Sequence, residues 1–116
     1  MSLNIQRGQV YGVIPDIAIG EEIKKPRPCV VVSSNVINTH SKVVVVCPIT
    51  DAVGKGESRI HIYIKSPEGG LKKDSLVSCI QVKAVSNERL MDKWGELKVE
   101  TMQKIDLGMC EVLNLQ

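Results

Sequence analysis

Two runs of β-branched residues constrain this chain more than anything else in it: Cys29-Val30-Val31-Val32-Ser33-Ser34 and Lys42-Val43-Val44-Val45-Val46-Cys47-Pro48-Ile49. Neither alternates between apolar and polar residues, so both read as strands covered on both faces. If they pair as antiparallel neighbours, with the polar interval Asn35 to Ser41 as their connection, the start of the first lies beside the end of the second. Arg27 then meets Thr50. The prolines of Pro26-Arg27-Pro28 fix their own backbone angles, and Pro28 pushes Arg27 into an extended form, so the guanidinium is presented with little backbone freedom. Pro48 cannot donate to a ladder, which sets Thr50 at the rim of a sheet.

The remaining segments supply the other walls. Arg7 to Ile14 reads as a first strand with Val10, Gly12 and Ile14 on one side, and Asp16 to Pro26 as a loop long enough to suggest a binding or lid element. Asp51 to Ser58 is a glycine-containing loop. Ser58 to Lys65 alternates clearly, with Ile60, Ile62 and Ile64 inward and Arg59, His61, Tyr63 and Lys65 on the other face. After a turn at Pro67-Glu68-Gly69-Gly70, Asp74 to Val85 gives one bent strand or two short ones. Ser86 is placed to cap a short helix over Asn87 to Lys93, which Gly95 ends. Met102, Ile105, Met109, Val112 and Leu113 recur at helical spacing in a final helix from Glu100 to Leu113, whose middle Gly108 weakens. The expected architecture is mainly β with α, a small and partly open β-barrel with a short helix and a C-terminal helix.

At 116 residues, with 43% apolar and 24% charged side chains, the expectation is one globular domain over residues 1–116. No apolar run reaches the length of a membrane span, and the N-terminus lacks a signal-peptide pattern, so no membrane partner and a cytoplasmic location are expected. Cys29, Cys47, Cys79 and Cys110 each sit in or beside apolar runs without C-x-x-C spacing, the pattern of reduced core thiols. The formal charge of +2 does not announce a nucleic-acid binder. The clusters Lys24, Lys25 and Arg27, and Lys72 and Lys73, nonetheless allow a local basic rim around an anionic ligand.

Elimination narrows the chemistry. The sequence has no nucleophile elbow, no convincing Cys-His pair, no glycine-rich phosphate loop and no carboxylates at hard-metal spacing, so neither a metal nor a cofactor is expected. Arg27, Thr50, His61, Ser75 or Ser78, and Gln81 remain: fixed cations, hydroxyls, an imidazole and an amide, suited to holding a phosphate and the charge of its transition state. RNA carries its own nucleophile, the 2′-hydroxyl, which DNA lacks, so the set points towards RNA. With 3% aromatic residues and no Phe, base recognition is expected to rest on hydrogen bonds.

Several short motifs run in one order through the chain: Arg7-Gly8-x-Val10-Tyr11, Gly20-x-Glu22, Arg27-Pro28-x-Val30-Val31-Val32, Asn35, Pro48-Ile49-Thr50, Lys73-Asp74-Ser75, Gln81-Val82-Lys83 and Arg89-Leu90, followed by the C-terminal helix. Together they resemble the MazF/PemK/Kid family of toxin endoribonucleases from type II toxin-antitoxin systems. The resemblance implies an SH3-like barrel of the CcdB/MazF type and growth inhibition by metal-independent, sequence-specific cleavage of single-stranded mRNA. The products that the resemblance implies are 2′,3′-cyclic phosphate and 5′-hydroxyl ends. It also implies a homodimer, a cognate antitoxin that blocks the RNA groove, and operator DNA bound only as the complex with antitoxin. The family's catalytic arginine and threonine fall on Arg27 and Thr50. Similar carry-over places Glu22, His61, Ser78 and Gln81 near the RNA, the basic cluster adds Lys24 and Lys25, and Glu22 or His61 is the expected base. The chain departs from many relatives at Lys24-Lys25-Pro26, where small residues are common. Two rivals stand beside this reading. One is a gyrase-binding, CcdB-like toxin, although those end in Trp-Gly-Ile and this chain ends Asn114-Leu115-Gln116. The other is a catalytically silent barrel acting in operon autorepression.

Overall fold

The computed structural model describes residues 4–15 and 25–116. Seven strands, β1 (Gln9–Val13), β2 (Arg27–Val31), β3 (Val43–Asp51), β4 (His61–Ile64), β5 (Ser75–Ser78), β6 (Lys83–Ser86) and β7 (Leu90–Glu96), form a mainly antiparallel sheet with two helices, α1 (Asn35–His40) and α2 (Val99–Leu113). The order across the sheet is β4-β5-β3-β2-β1-β7, with β6 also paired to β3. The loop read from Asp16 to Pro26 falls largely outside the described residues.

The two β-branched runs do become antiparallel neighbours, and β3 is the spine of the molecule. One edge pairs with β2 through Cys29–Pro48, Val30–Cys47 and Val31–Val46. Its other edge pairs first with β6, from Val43–Ser86 to Val46–Lys83, and then with β5, from Ile49–Val77 to Asp51–Ser75. Pro48, which has no N–H to donate, falls in the break between these stretches. The run from Asp74 to Val85 is therefore two short strands, joined by a single 3-10 turn over Cys79–Gln81.

Burial on both faces follows from two separate cores. Val10, Val30, Cys47, Ile49, Ile62, Ile64 and Val77 pack with Met102 and Ile105 of α2 on one face. Ile5, Tyr11, Val13, Cys29, Val31, Val44, Val46, Val85 and Leu90 make the other. Consecutive residues of one strand thus enter different cores, which is why β2 and β3 carry no alternation.

Four features differ from the sequence reading. The interval after Ser34 is not bare connection but helix α1, begun by the Ser34 hydroxyl accepting from the Ile37 N–H. Its apolar Val36 and Ile37 are exposed, so no amphipathic period marked it. Ser86 does cap, but only one 3-10 turn, Asn87–Arg89, after which the chain runs on as strand β7. In α2, Met102 and Ile105 are buried as the spacing requires, whereas Leu113 is 52% exposed past the end of the sheet. Gly108 proves to be a requirement rather than a weakness. A Cβ there would lie 2.7 Å from Cys79 Sγ and 2.8 Å from the Arg59 carbonyl oxygen, so only glycine lets α2 approach this closely.

The sheet does not close into a barrel by hydrogen bonds, since β4 and β7 remain its two ends among the described pairings. The gap is instead covered by backbone packing. The 3-10 turn Glu68–Gly70 after β4 lies on β7, where a Cβ at Gly95 would come within 2.6 Å of the Gly69 carbonyl carbon. Glu68 of the same turn accepts from the Lys98 N–H at 2.9 Å and the Thr101 hydroxyl at 2.6 Å, holding the first turn of α2 in place.

Candidate active site

Arg27 is the first residue of β2, and Thr50 the penultimate residue of β3. Continuing the Cys29–Pro48 register by two residues sets Arg27 opposite Thr50. In an antiparallel pair, opposite residues share a face. Both are exposed, and both line one open cleft of about 1090 Å³ together with Gln81, Lys72, Lys73 and Lys83. The guanidinium of the Pro-flanked arginine has neither ion pair nor hydrogen bond with the described residues, while its backbone pairs opposite Val13 of β1. The Thr50 hydroxyl accepts from Lys55 Nζ at 3.1 Å.

Cations dominate this concavity. Against Arg27, Lys72, Lys73 and Lys83 stand the carboxylates of Asp51 and Asp92. Asp51 is already engaged, 3.6 Å from Lys73 Nζ and accepting from the Val53 N–H at 2.9 Å. An open cleft lined by an excess of one charge can concentrate a polyanion over the Arg27–Thr50 pair. Ser75 also lines the cleft, but its hydroxyl is turned to the Lys73 carbonyl at 2.8 Å and orders that lysine's backbone.

The other predicted site residues are placed differently. Ser78 is buried and pairs across the strands with His61. His61 lines a second concavity of about 860 Å³ beside the C-terminal end of α2, and its Nδ1 lies 3.0 Å from the Ser58 hydroxyl. Neither reaches the Arg27 cleft. Lys25 is exposed just before β2, and Glu22 and Lys24 lie outside the described residues. Residues that the sequence reading did not assign to the site are Lys55, Lys83, Asp92 and Trp94. Lys83 stood inside a quoted motif, and the register of β6 against β3 is what brings it in.

On the outward row of β4 the Tyr63 hydroxyl also donates to Asp74 at 2.7 Å, and Ser66 N–H donates to the same carboxylate at 2.9 Å. These bonds hold the Asp74 carboxyl below its usual range and the Tyr63 phenol above its own. They fix the chain on either side of the Lys72-Lys73 stretch.

Three of the four thiols, Cys29, Cys47 and Cys79, are buried and shielded from attack. Cys29 faces the cleft but is 2% exposed, and burial pushes it up to about 11, only partly countered by Lys83. The neighbouring Cys79 thiol, then burial, push Cys47 up as well. Treatment with iodoacetamide at neutral pH is therefore expected to leave any cleavage activity intact and to label Cys110 alone at an appreciable rate. Rapid labelling of Cys29 with loss of activity, read by mass spectrometry, would contradict this.

The arrangement defines a class: a small, mainly antiparallel β protein with a C-terminal helix and an Arg–Thr pair in a cationic cleft. The family described as PemK-like, MazF-like toxin of type II toxin-antitoxin system matches residues 6–113, and the chain belongs to that family. It is 29% identical over 102 residues to Endoribonuclease EndoA of Bacillus subtilis (strain 168), covering 88% of each chain. An endoribonuclease in complex with its cognate antitoxin from Mycobacterial species superposes with a TM-score of 0.78 at 25% identity, over 97% of both chains. The MazE-MazF (Form-II) structure from Deinococcus radiodurans shares the fold with a TM-score of 0.82 at 14% identity, over 99% of this chain and 100% of that one.

Proposed function

We propose that this toxin is a metal-independent, sequence-specific endoribonuclease that cleaves single-stranded RNA at the Arg27–Thr50 cleft and is neutralised by a cognate antitoxin. The endoribonuclease class and an antitoxin partner follow from family membership and from the relatives' activities. The observation that carries the finer reading is the register that sets Arg27 opposite Thr50 in one cationic concavity.

In this reading the substrate's own 2′-oxygen attacks the adjacent phosphorus as the bond to the 5′-oxygen breaks, and the leaving oxygen takes a proton from water to become the 5′-hydroxyl. The Arg27 guanidinium supplies parallel donors to the non-bridging oxygens and stabilises the charge that builds there. Thr50 orients the phosphate through its hydroxyl, with Lys55 holding that hydroxyl as an acceptor. Arginine stays protonated and is a poor base. His61 belongs to the other concavity, so the proton of the 2′-hydroxyl is assigned to Glu22, close in sequence to Arg27. Gln81 and the lysines Lys72, Lys73 and Lys83 hold the flanking nucleotides, Lys25 extends the basic rim, and Lys24 is assigned to the RNA with it. The toxin acts in the cytoplasm as a homodimer, and with its antitoxin binds operator DNA.

Incubating the purified protein with a mixed-sequence RNA in excess EDTA tests the chemistry. The expected products carry 2′,3′-cyclic phosphate and 5′-hydroxyl ends at a recurring short motif. Fragments with 5′-phosphates, or cleavage lost in EDTA and restored by Mg²⁺, would overturn the reading.

A further inference from the structure

The chain holds a single tryptophan, and it lies in the cleft beside Arg27. Three independent features put it there. First, β7 pairs with β1 irregularly: Val10 opposes Gly95 and its neighbour Tyr11 opposes Lys93, which leaves Trp94 as the extra residue of a β-bulge. Bulges re-aim the side chain they carry and recur beside active sites. Second, its indole is accommodated by an absent side chain. A Cβ at Gly12 would sit 3.1 Å from Trp94 Nε1 and 2.9 Å from Pro26 Cβ, so the ring packs over bare backbone next to the proline that precedes Arg27. Third, the residue is pinned at its base, since a Cβ at Gly70 would fall 2.0 Å from the Trp94 carbonyl oxygen and 3.3 Å from its Cβ, yet Trp94 remains 38% exposed. A large aromatic ring fixed at its base and open towards a cationic cleft is poorly explained as core.

We infer that Trp94 is a stacking platform for a base of the bound RNA next to the phosphate held by Arg27 and Thr50. The inference rests on the nuclease reading above and extends it from phosphate to base. Every base offers a π-face, so the platform adds affinity and position with little sequence preference, while hydrogen bonds such as those of Gln81 supply the choice of motif. An exposed tryptophan also suits a protein interface. RNA is favoured because the ring shares its concavity with Arg27, Lys72 and Lys83, an arrangement that seats a base and its phosphate together.

Because Trp94 is the sole tryptophan, its emission reports on this site alone. Titrating the wild-type protein with a mixed-sequence 2′-O-methyl oligonucleotide, which lacks the attacking hydroxyl, is expected to quench that emission saturably, and inorganic polyphosphate is not. By polarisation of a labelled oligonucleotide, Trp94→Ala is expected to bind about 5- to 150-fold more weakly, the range of one base–aromatic stack. Trp94→Phe should restore most of the binding, and the effect on cleavage should appear in KM more than in kcat. Equal quenching by polyphosphate, or alanine and wild type binding alike, would overturn the platform. So would a Trp94→Ala protein that cleaves normally but escapes its co-expressed antitoxin, because the ring would then belong to a protein interface. The nuclease reading is decided separately, by whether the wild type cleaves the unmodified oligonucleotide at all.

Discussion

Replacing Arg27 by alanine is expected to lower RNA cleavage about 10²- to 10³-fold, the usual cost of removing one preorganised donor from a developing oxyanion. The fold should survive, because Arg27 is exposed at the first position of β2 and carries no packing in either core. Arg27→Lys keeps the charge but loses the planar fork, so it should fall between wild type and alanine. Thr50→Ala should cost less, since the backbone of β3 and Lys55 remain. Single-turnover rates on a defined RNA separate these effects from binding. An alanine variant with full activity and an unchanged thermal transition would remove Arg27 from the mechanism.

The second large effect concerns stability. Gly70→Ala would place a methyl 2.0 Å from the Trp94 carbonyl oxygen and 2.6 Å from its carbon, at a residue with φ of +74°. Backbone cannot yield as a flexible side chain can. Left-handed strain and overpacking together give a loss of roughly 2–5 kcal/mol, a fall in Tm on the order of 10 °C or more. Gly54→Ala is the matched control, with φ of +72° and nothing within 4 Å, and should cost only the conformational part, about 1–2 kcal/mol. Urea unfolding of the two variants isolates the contact. Equal losses would mean that the turn after β4 does not seal the sheet against β7. The seam also supports Trp94, so Gly70→Ala should weaken RNA binding in the fraction that folds.

The strands that bring Arg27 and Thr50 together were legible because their signal is local and redundant. Val30 to Val32 and Val43 to Val46 fit little but buried strands, and Ile60, Ile62 and Ile64 announce a period of two. Strand β7 was hidden for the opposite reason. Met91-Asp92-Lys93-Trp94 sits in an element with two register shifts against β1, so its outward residues never fall into alternation. Helix α1 is six residues long and buries only Asn38, too little to show a helical period. Gly108 and Gly95 read as breakers because glycine's local effect is to loosen a chain. Their reason here is the approach of a distant backbone, which no neighbouring residue encodes.

The sequence by itself determined the sheet's central strands, the core stripe of α2 through Met102 and Ile105, and the register-based meeting of Arg27 with Thr50. Each depends on periodicity, on proline's fixed angles, or on antiparallel geometry between adjacent runs. The tertiary structure decided which other groups share that cleft. It brought Lys55, Lys83 and Trp94 to the pair and turned His61 towards the far concavity. Cleft membership depends on how a twisted sheet coils and where a bulge re-aims one residue, and those are properties of pairings across the whole chain.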